Sequence, residues 1–135
     1  MRRVNDQFLV GVTGVFLDKK NRILLVKHSY RDDGHWSLPG GYLKAGEHPK
    51  EGLEREVKEE TGYEVSADHR LKIRTDRNSS RLDLTYSGEF FGGIFKKSKE
   101  ITTAKLFPFE ELPILPEDQI LFIERALRLK KRELF

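Results

Sequence analysis

The sequence has no cysteine, which removes disulfide staples, zinc–thiolate centres and thiol nucleophiles from consideration. It also has no internal repeat, no low-complexity tract and no Gly/Ser/Pro-rich linker. A single domain spanning residues 1–135 is therefore the simplest organisation. A chain of that length buries roughly two-thirds of its unfolded surface, so it needs no covalent reinforcement. Excess charge of one sign is missing too. Twenty-five basic and 22 acidic residues leave a formal net charge of +3, far from the dense basic stripe of a dedicated nucleic-acid binder. No apolar run is long enough to span a bilayer. Met1-Arg2-Arg3 before the apolar stretch Phe8–Leu17 superficially resembles a secretion signal. Asn5-Asp6-Gln7 interrupts it, Asp18-Lys19-Lys20 follows it, and no small-residue cleavage site is visible. The stretch reads as a buried strand, and the protein as soluble and cytoplasmic, without a membrane partner.

What is present alternates between strand and helix. Phe8–Leu17 is rich in Val, Phe and Leu, as a strand covered on both faces is. Asp18–Asn21 reads as a turn into a second strand around Ile23–Val26, and Trp36-Ser37-Leu38 runs into the breaker Pro39-Gly40-Gly41. Pro49–Thr61 is the clearest helix, with proline at its start and Gly62 where a left-handed cap is wanted. Tyr63–Asp76 and Leu82–Phe91 read as strands joined by a polar turn, and Ile101–Phe109 as a further short strand. Pro116 opens a terminal amphipathic helix carrying Ile120, Ile123 and Leu127 at helical spacing. The pattern gives an α/β or α+β domain.

The helix at Pro49–Thr61 is wrong for a purely structural role. Advancing 100° per residue, Leu53 and Val57 define its inward face. Glu60 falls beside Leu53 in the same stripe, Glu56 on the flank, and Glu59 one step further round, while Arg55 and Lys58 point away. A carboxylate within an apolar stripe is costly unless its charge is compensated. Like charges at Glu56 and Glu60 add a further penalty of about 0.2–0.5 kcal/mol. A solvated acidic helix is the bland alternative. The placement argues instead that the carboxylates converge on a hard cation such as Mg²⁺ or Mn²⁺.

Spacing then supplies the decisive pattern. From Gly41 come five residues, Glu47, seven more residues, and Arg55-Glu56-Val57-Lys58-Glu59-Glu60-Thr61-Gly62-Tyr63. This run closely resembles the Nudix box, the signature of a family of pyrophosphate-cleaving hydrolases. Chance agreement of its seven fixed residue types at a given start is below roughly one in ten million. Leu38-Pro39-Gly40-Gly41 looks like the segment that normally precedes the box, and Phe107–Pro113 with the closing helix is similar to the family's C-terminal layout. Tyr63 stands where an aliphatic residue is usual, and His48 where a capping serine or threonine is common, which is expected to weaken the helix cap slightly.

The resemblance implies a mixed β-sheet sandwiched between helices, an α/β/α arrangement. It also implies a metal held by Glu56, Glu59 and Glu60 with the carbonyl of Gly40, and Glu56 as the first choice of general base. Arg55 and Glu47 would support the box through bidentate hydrogen bonds, with a plain surface salt bridge as the competing reading. Members often add an acid from outside the box, for which Glu100 is the better candidate and Glu89 the rival. Tyr30, Arg31 and Trp36, upstream of the box, could contact a base or phosphate, although Trp36 could equally be a core anchor. The implied cofactor is Mg²⁺ or Mn²⁺, and the implied partner a small nucleotide substrate, acting on a monomer or homodimer.

Within that class the leading substrate is a nucleoside diphosphate linked to another moiety, such as a nucleotide sugar or ADP-ribose. The rival is a nucleoside triphosphate, including damaged ones. The motifs of NADH-specific relatives are missing, and Asp76-Arg77-Asn78 stands where ADP-ribose-specific relatives often carry a proline. A non-catalytic sensor on the same fold tends to lose box acids, whereas Glu56, Glu59 and Glu60 are all present. A pure interaction module leaves the acidic cluster unexplained. The basic tail (Arg125, Arg128, Lys130, Lys131 and Arg132) raises nucleic-acid binding, but its interleaved leucines favour the wet face of a packed helix.

Overall fold

Two strands that start as a hairpin and then part company set the architecture. In the computed structural model, which describes residues 9–29, 35–76 and 78–133, strand β1 covers Leu9–Leu17 and β2 covers Ile23–His28. The turn between them is closed by the Asp18 carboxylate, which accepts from the backbone N–H of Lys20 and of Arg22 and from the Arg22 guanidinium. Only Leu17 and Ile23 pair directly. Beyond that rung the strands splay, and the segment after Trp36 fills the wedge. Strand β3 (Trp36–Ser37) pairs with β2, and β4 (Gly40–Tyr42) pairs with β1 through Gly11, Val12 and Thr13.

On its other edge β1 runs parallel to β6 (Arg81–Gly93), which pairs antiparallel with β5 (Tyr63–Asp76). Strand β7 (Ile101–Phe107) closes the opposite side against β2, bringing Ile101 beside His28. The expected strand to Phe109 stops at Phe107, because Pro108 has no N–H to continue the ladder and a 3₁₀ turn, Phe109–Glu111, follows.

Helices cover both faces, as the expected mixed sheet between helices requires. Helix α1 (Pro49–Thr61) buries Leu53 and Val57 against Val12, Phe16, Leu24, Val65, Ala67 and Leu84. Helix α2 (Glu117–Glu133) buries Ile123 and Ala126 against Val15, Leu17, Ile23 and Leu25. Alternate residues of β1 and β2 thus enter different cores, which is why both strands read as unbroken apolar runs. Trp36 belongs to the α2 side, its ring edge-on to Phe107 with centroids 4.9 Å apart. Among the described residues no helix is long and apolar enough to cross a membrane.

Candidate active site

Helix α1 is pinned at both ends next to the wedge. Pro49 occupies its first turn, and the His48 imidazole takes the capping role itself, Nδ1 accepting from the Lys50 N–H at 3.2 Å. The expected weakening of the cap is therefore offset by a side chain that can still accept a hydrogen bond. At the other end Gly62 adopts φ +82° and returns its N–H to the Lys58 carbonyl. A Cβ there would stand 2.4 Å from the Ile94 carbonyl oxygen, so glycine is required twice over.

The helix presents its carboxylates to a concavity of about 370 Å³ lined by His28, Gly40, Gly41, Tyr42, Glu56, Glu60 and Glu100. Each wall comes from a different element: β2, the wedge strand β4, α1, and the turn leading into β7. Glu100 reaches the cleft because β7 pairs with β2, and its own carbonyl accepts from the Ser29 N–H at 2.8 Å. Glu89, the rival acid on β6, lines hollows elsewhere on the molecule and not this one.

Glu60 is the electrostatic centre. Its residue is 8% exposed, and burial, followed by hydrogen bonds with the Glu100 and Glu56 carboxyls and by the Glu56 charge, pushes its pKa up to about 9. Among the described residues no three acidic or imidazole groups form a ready-made coordination shell. The donor set nonetheless fits a hard divalent cation. Three carboxylates and the backbone at Gly40 face one hollow, the hard oxygen donors that such a cation prefers.

Arg55 does not point away from this cluster, as its position on an ideal wheel implies. Its guanidinium folds back, with Nε and Nη2 donating to the two oxygens of Glu47, Nη2 also to Glu56 at 3.1 Å, and Nη1 to Glu59 at 2.8 Å. The same Glu47 accepts from the Lys44 N–H, closing the loop before α1. These bonds, the Arg55 one foremost, hold the Glu47 carboxyl down to about 2. The loop and the helix are thereby bound as one unit.

Two expected residues do not join the cleft. The Glu59 side chain is 55% exposed and turned to Arg55, because one residue's advance beyond the Glu60 register, read backwards along the helix, rotates it out of the buried stripe. Trp36 is a half-buried anchor between Phe107 and the Lys27 ammonium and lines no part of the hollow. Tyr30 and Arg31 lie outside the described residues. Conversely, His28 and Tyr42 line the cleft though no motif marks them. Their only sequence cue is position, His28 at the polar end of an apolar strand and Tyr42 directly after the Gly-Gly pair.

Comparison with known proteins agrees with this layout. The family model described as the NUDIX domain matches residues 7–128. The chain is 31% identical over 137 residues to the 8-oxo-dGDP phosphatase NUDT18 of Homo sapiens, covering 96% of this chain and 42% of that protein. It is 30% identical over 126 residues to the ADP-ribose pyrophosphatase of Methanocaldococcus jannaschii, covering 90% of this chain and 74% of that one. It thus spans less than half of the human relative's length. Among solved structures it superposes on an ADP-ribose pyrophosphatase from Streptococcus suis with TM-score 0.75 and 26% identity, covering 90% and 93% of the two chains.

Proposed function

The chain belongs to the NUDIX family, and on that footing we propose that it is a Mg²⁺-dependent hydrolase cleaving the phosphoanhydride bond of a nucleoside diphosphate linked to another moiety. The observation that carries the reading is the convergence of Glu56, Glu60 and Glu100 on one hollow beside Gly40 and Gly41. Mg²⁺, or Mn²⁺, would be held there by these carboxylates and the Gly40 carbonyl, neutralising phosphate charge and acidifying a water.

The chain's own residues then divide the remaining work. Glu56 takes the proton of the attacking water as its oxygen bonds to phosphorus; the bridging P–O bond breaks and the leaving phosphate carries off the electron pair. Arg55 orients Glu56 while tying it to Glu47 and the loop. Glu60, whose carboxyl burial pushes up to about 9, would shed its proton in holding that cation. Tyr42 and His28 form walls against which the remainder of the substrate lies.

The substrate class is supported by the relatives' names. ADP-ribose is a nucleoside diphosphate joined to a sugar, and a protein so named shares 30% identity across 90% of this chain. A second reading, removal of damaged nucleotides from the pool, is favoured by the relative named for 8-oxo-dGDP. The test is turnover of a panel of ADP-ribose, nucleotide sugars, nucleoside triphosphates and oxidised nucleotides with Mg²⁺, the products identified by mass. Cleavage of sugar-linked diphosphates above the rest supports the first reading; preference for the oxidised nucleotides replaces it with the second. No turnover of any member would overturn the enzyme assignment in favour of a sensor.

A further inference from the structure

On the face of the sheet opposite α1, strand β5 and helix α2 enclose a second hollow of about 360 Å³. Its lining is Arg70, Leu71, Arg125, Arg128, Leu129 and Arg132, and it shares no residue with the carboxylate cleft. Arg125, Arg128 and Arg132 recur at i, i+3 and i+7 of α2, one stripe roughly 10 Å long. Lys72 and Arg74 continue the positive row along β5 and line the adjoining hollow beside the first half of α2. The groove is tied shut at its floor by Arg125, whose Nη1 donates to the Leu71 carbonyl at 3.0 Å. All four arginines are exposed, and among the described residues Arg70, Arg128 and Arg132 make no ion pair with a carboxylate. Asp83 and Asp118 line the adjoining hollow, where Asp83 is engaged by Arg81, and Glu124 stands one turn before Arg128 on α2.

Four guanidiniums facing one hollow repel each other, and the sum is tolerable in water but strongly attractive to an anion. Arginine's planar fork matches phosphate oxygens in pairs, and six of the seven cations lining the two hollows are arginine rather than lysine. Two rows of charge, each roughly 10 Å or more in length, suit several phosphates in succession rather than a single phosphoryl group. Among the described residues no aromatic ring lines the arginine hollow to stack a base, so recognition there is of the backbone and not of sequence. The modest net charge of +3 hides this, because the groove depends on where the cations lie and not on their total.

We infer that the β5–α2 groove binds the phosphodiester backbone of single-stranded nucleic acid, independently of the carboxylate cleft. The test uses the full chain and a fluorescently labelled oligouridylate of about 16 nucleotides without a 5′ phosphate, so that no phosphoanhydride is offered to the cleft. Anisotropy titrations are expected to give micromolar binding at about 50 mM salt, with log K falling against log salt at a slope of about −2 to −3. The double substitution Arg128→Gln with Arg132→Gln is expected to weaken binding about tenfold or more and to flatten the slope by about 1.4. A double substitution of Lys19→Gln with Lys20→Gln, in the exposed β1–β2 turn, keeps wild-type affinity, and so does Glu60→Gln. Undiminished binding by the arginine variant, or no binding at low salt, overturns the inference. Equal displacement by oligoglutamate at matched charge also overturns it, and assigns the groove to an acidic protein segment.

Discussion

The Arg55 guanidinium grips both oxygens of Glu47, joining the middle of α1 to the loop that precedes it. Lysine at that position keeps the charge but can occupy only one of those oxygens and cannot also reach Glu56 and Glu59. Arg55→Lys is therefore expected to lower metal affinity or turnover by roughly 10–100-fold, the usual effect of losing a group that orients metal ligands. The fold should survive, with α1 still anchored by Leu53 and Val57. Steady-state kinetics over a Mg²⁺ titration checks this; an unchanged Mg²⁺ dependence and kcat would reduce the pair to a surface salt bridge.

Adjacent glutamates are expected to behave unequally. Glu60 is buried and linked to both Glu56 and Glu100, whereas Glu59 is largely exposed and pairs with Arg55. Glu60→Gln and Glu56→Gln should each cost orders of magnitude in kcat. Glu59→Gln should cost at most about tenfold, as an indirect contributor acting through Arg55. Equal losses at Glu59 and Glu60 would show that Glu59 swings into the cleft when the cation binds.

Stability of the metal-free protein should depend on pH through Glu60. Its folded pKa of about 9 lies above the ordinary value of 4.5, so the folded state binds a proton that the unfolded state releases. The contribution to stability is complete below about pH 4.5 and is lost progressively as pH rises through 9. In EDTA, the melting temperature of the wild type should thus fall from neutral to alkaline pH more steeply than that of Glu60→Gln. Adding Mg²⁺ should reverse the order and release a proton, measurable by calorimetry in buffers of different ionisation enthalpy. Parallel melting curves for the two proteins in EDTA would disprove the assignment.

How much of this the sequence discloses differs by element, for physical reasons. Helix α1 is legible because its signals are local: Pro49 at the start, Gly62 at the end, and a charge pattern readable on a wheel. Strand β4 is not, because Gly40 and Gly41 look like breakers until β1 is seen to splay from β2 and leave a wedge in which Gly40 has no room for a Cβ. The 8-residue span from Glu47 to Arg55 marks the two as partners only through the family motif, whereas their contact is a matter of loop closure. Glu100 could be shortlisted but not preferred over Glu89 by residue type; the β2–β7 pairing decides. The exposure of Glu59 and the arginine groove depend on side-chain direction and on two elements far apart in the chain, which a one-dimensional pattern does not encode.

Gly41 offers the sharpest test of how finely the cleft is built. A Cβ placed on it would stand 2.8 Å from the Glu56 carboxylate, too close for the side chain to keep its present position. The obstruction is the far end of a flexible side chain, so Gly41→Ala moves Glu56 aside without unfolding β4, whose pairing with Val12 is made by backbone groups. A displacement of about 1 Å in a catalytic group can cost about 100-fold in rate. Gly41→Ala is accordingly expected to lose about that much in kcat while its melting temperature stays within a few degrees of wild type. Full activity in this variant would show that Glu56 tolerates a shift of that size, and the role of base would have to pass to another of the cleft carboxylates.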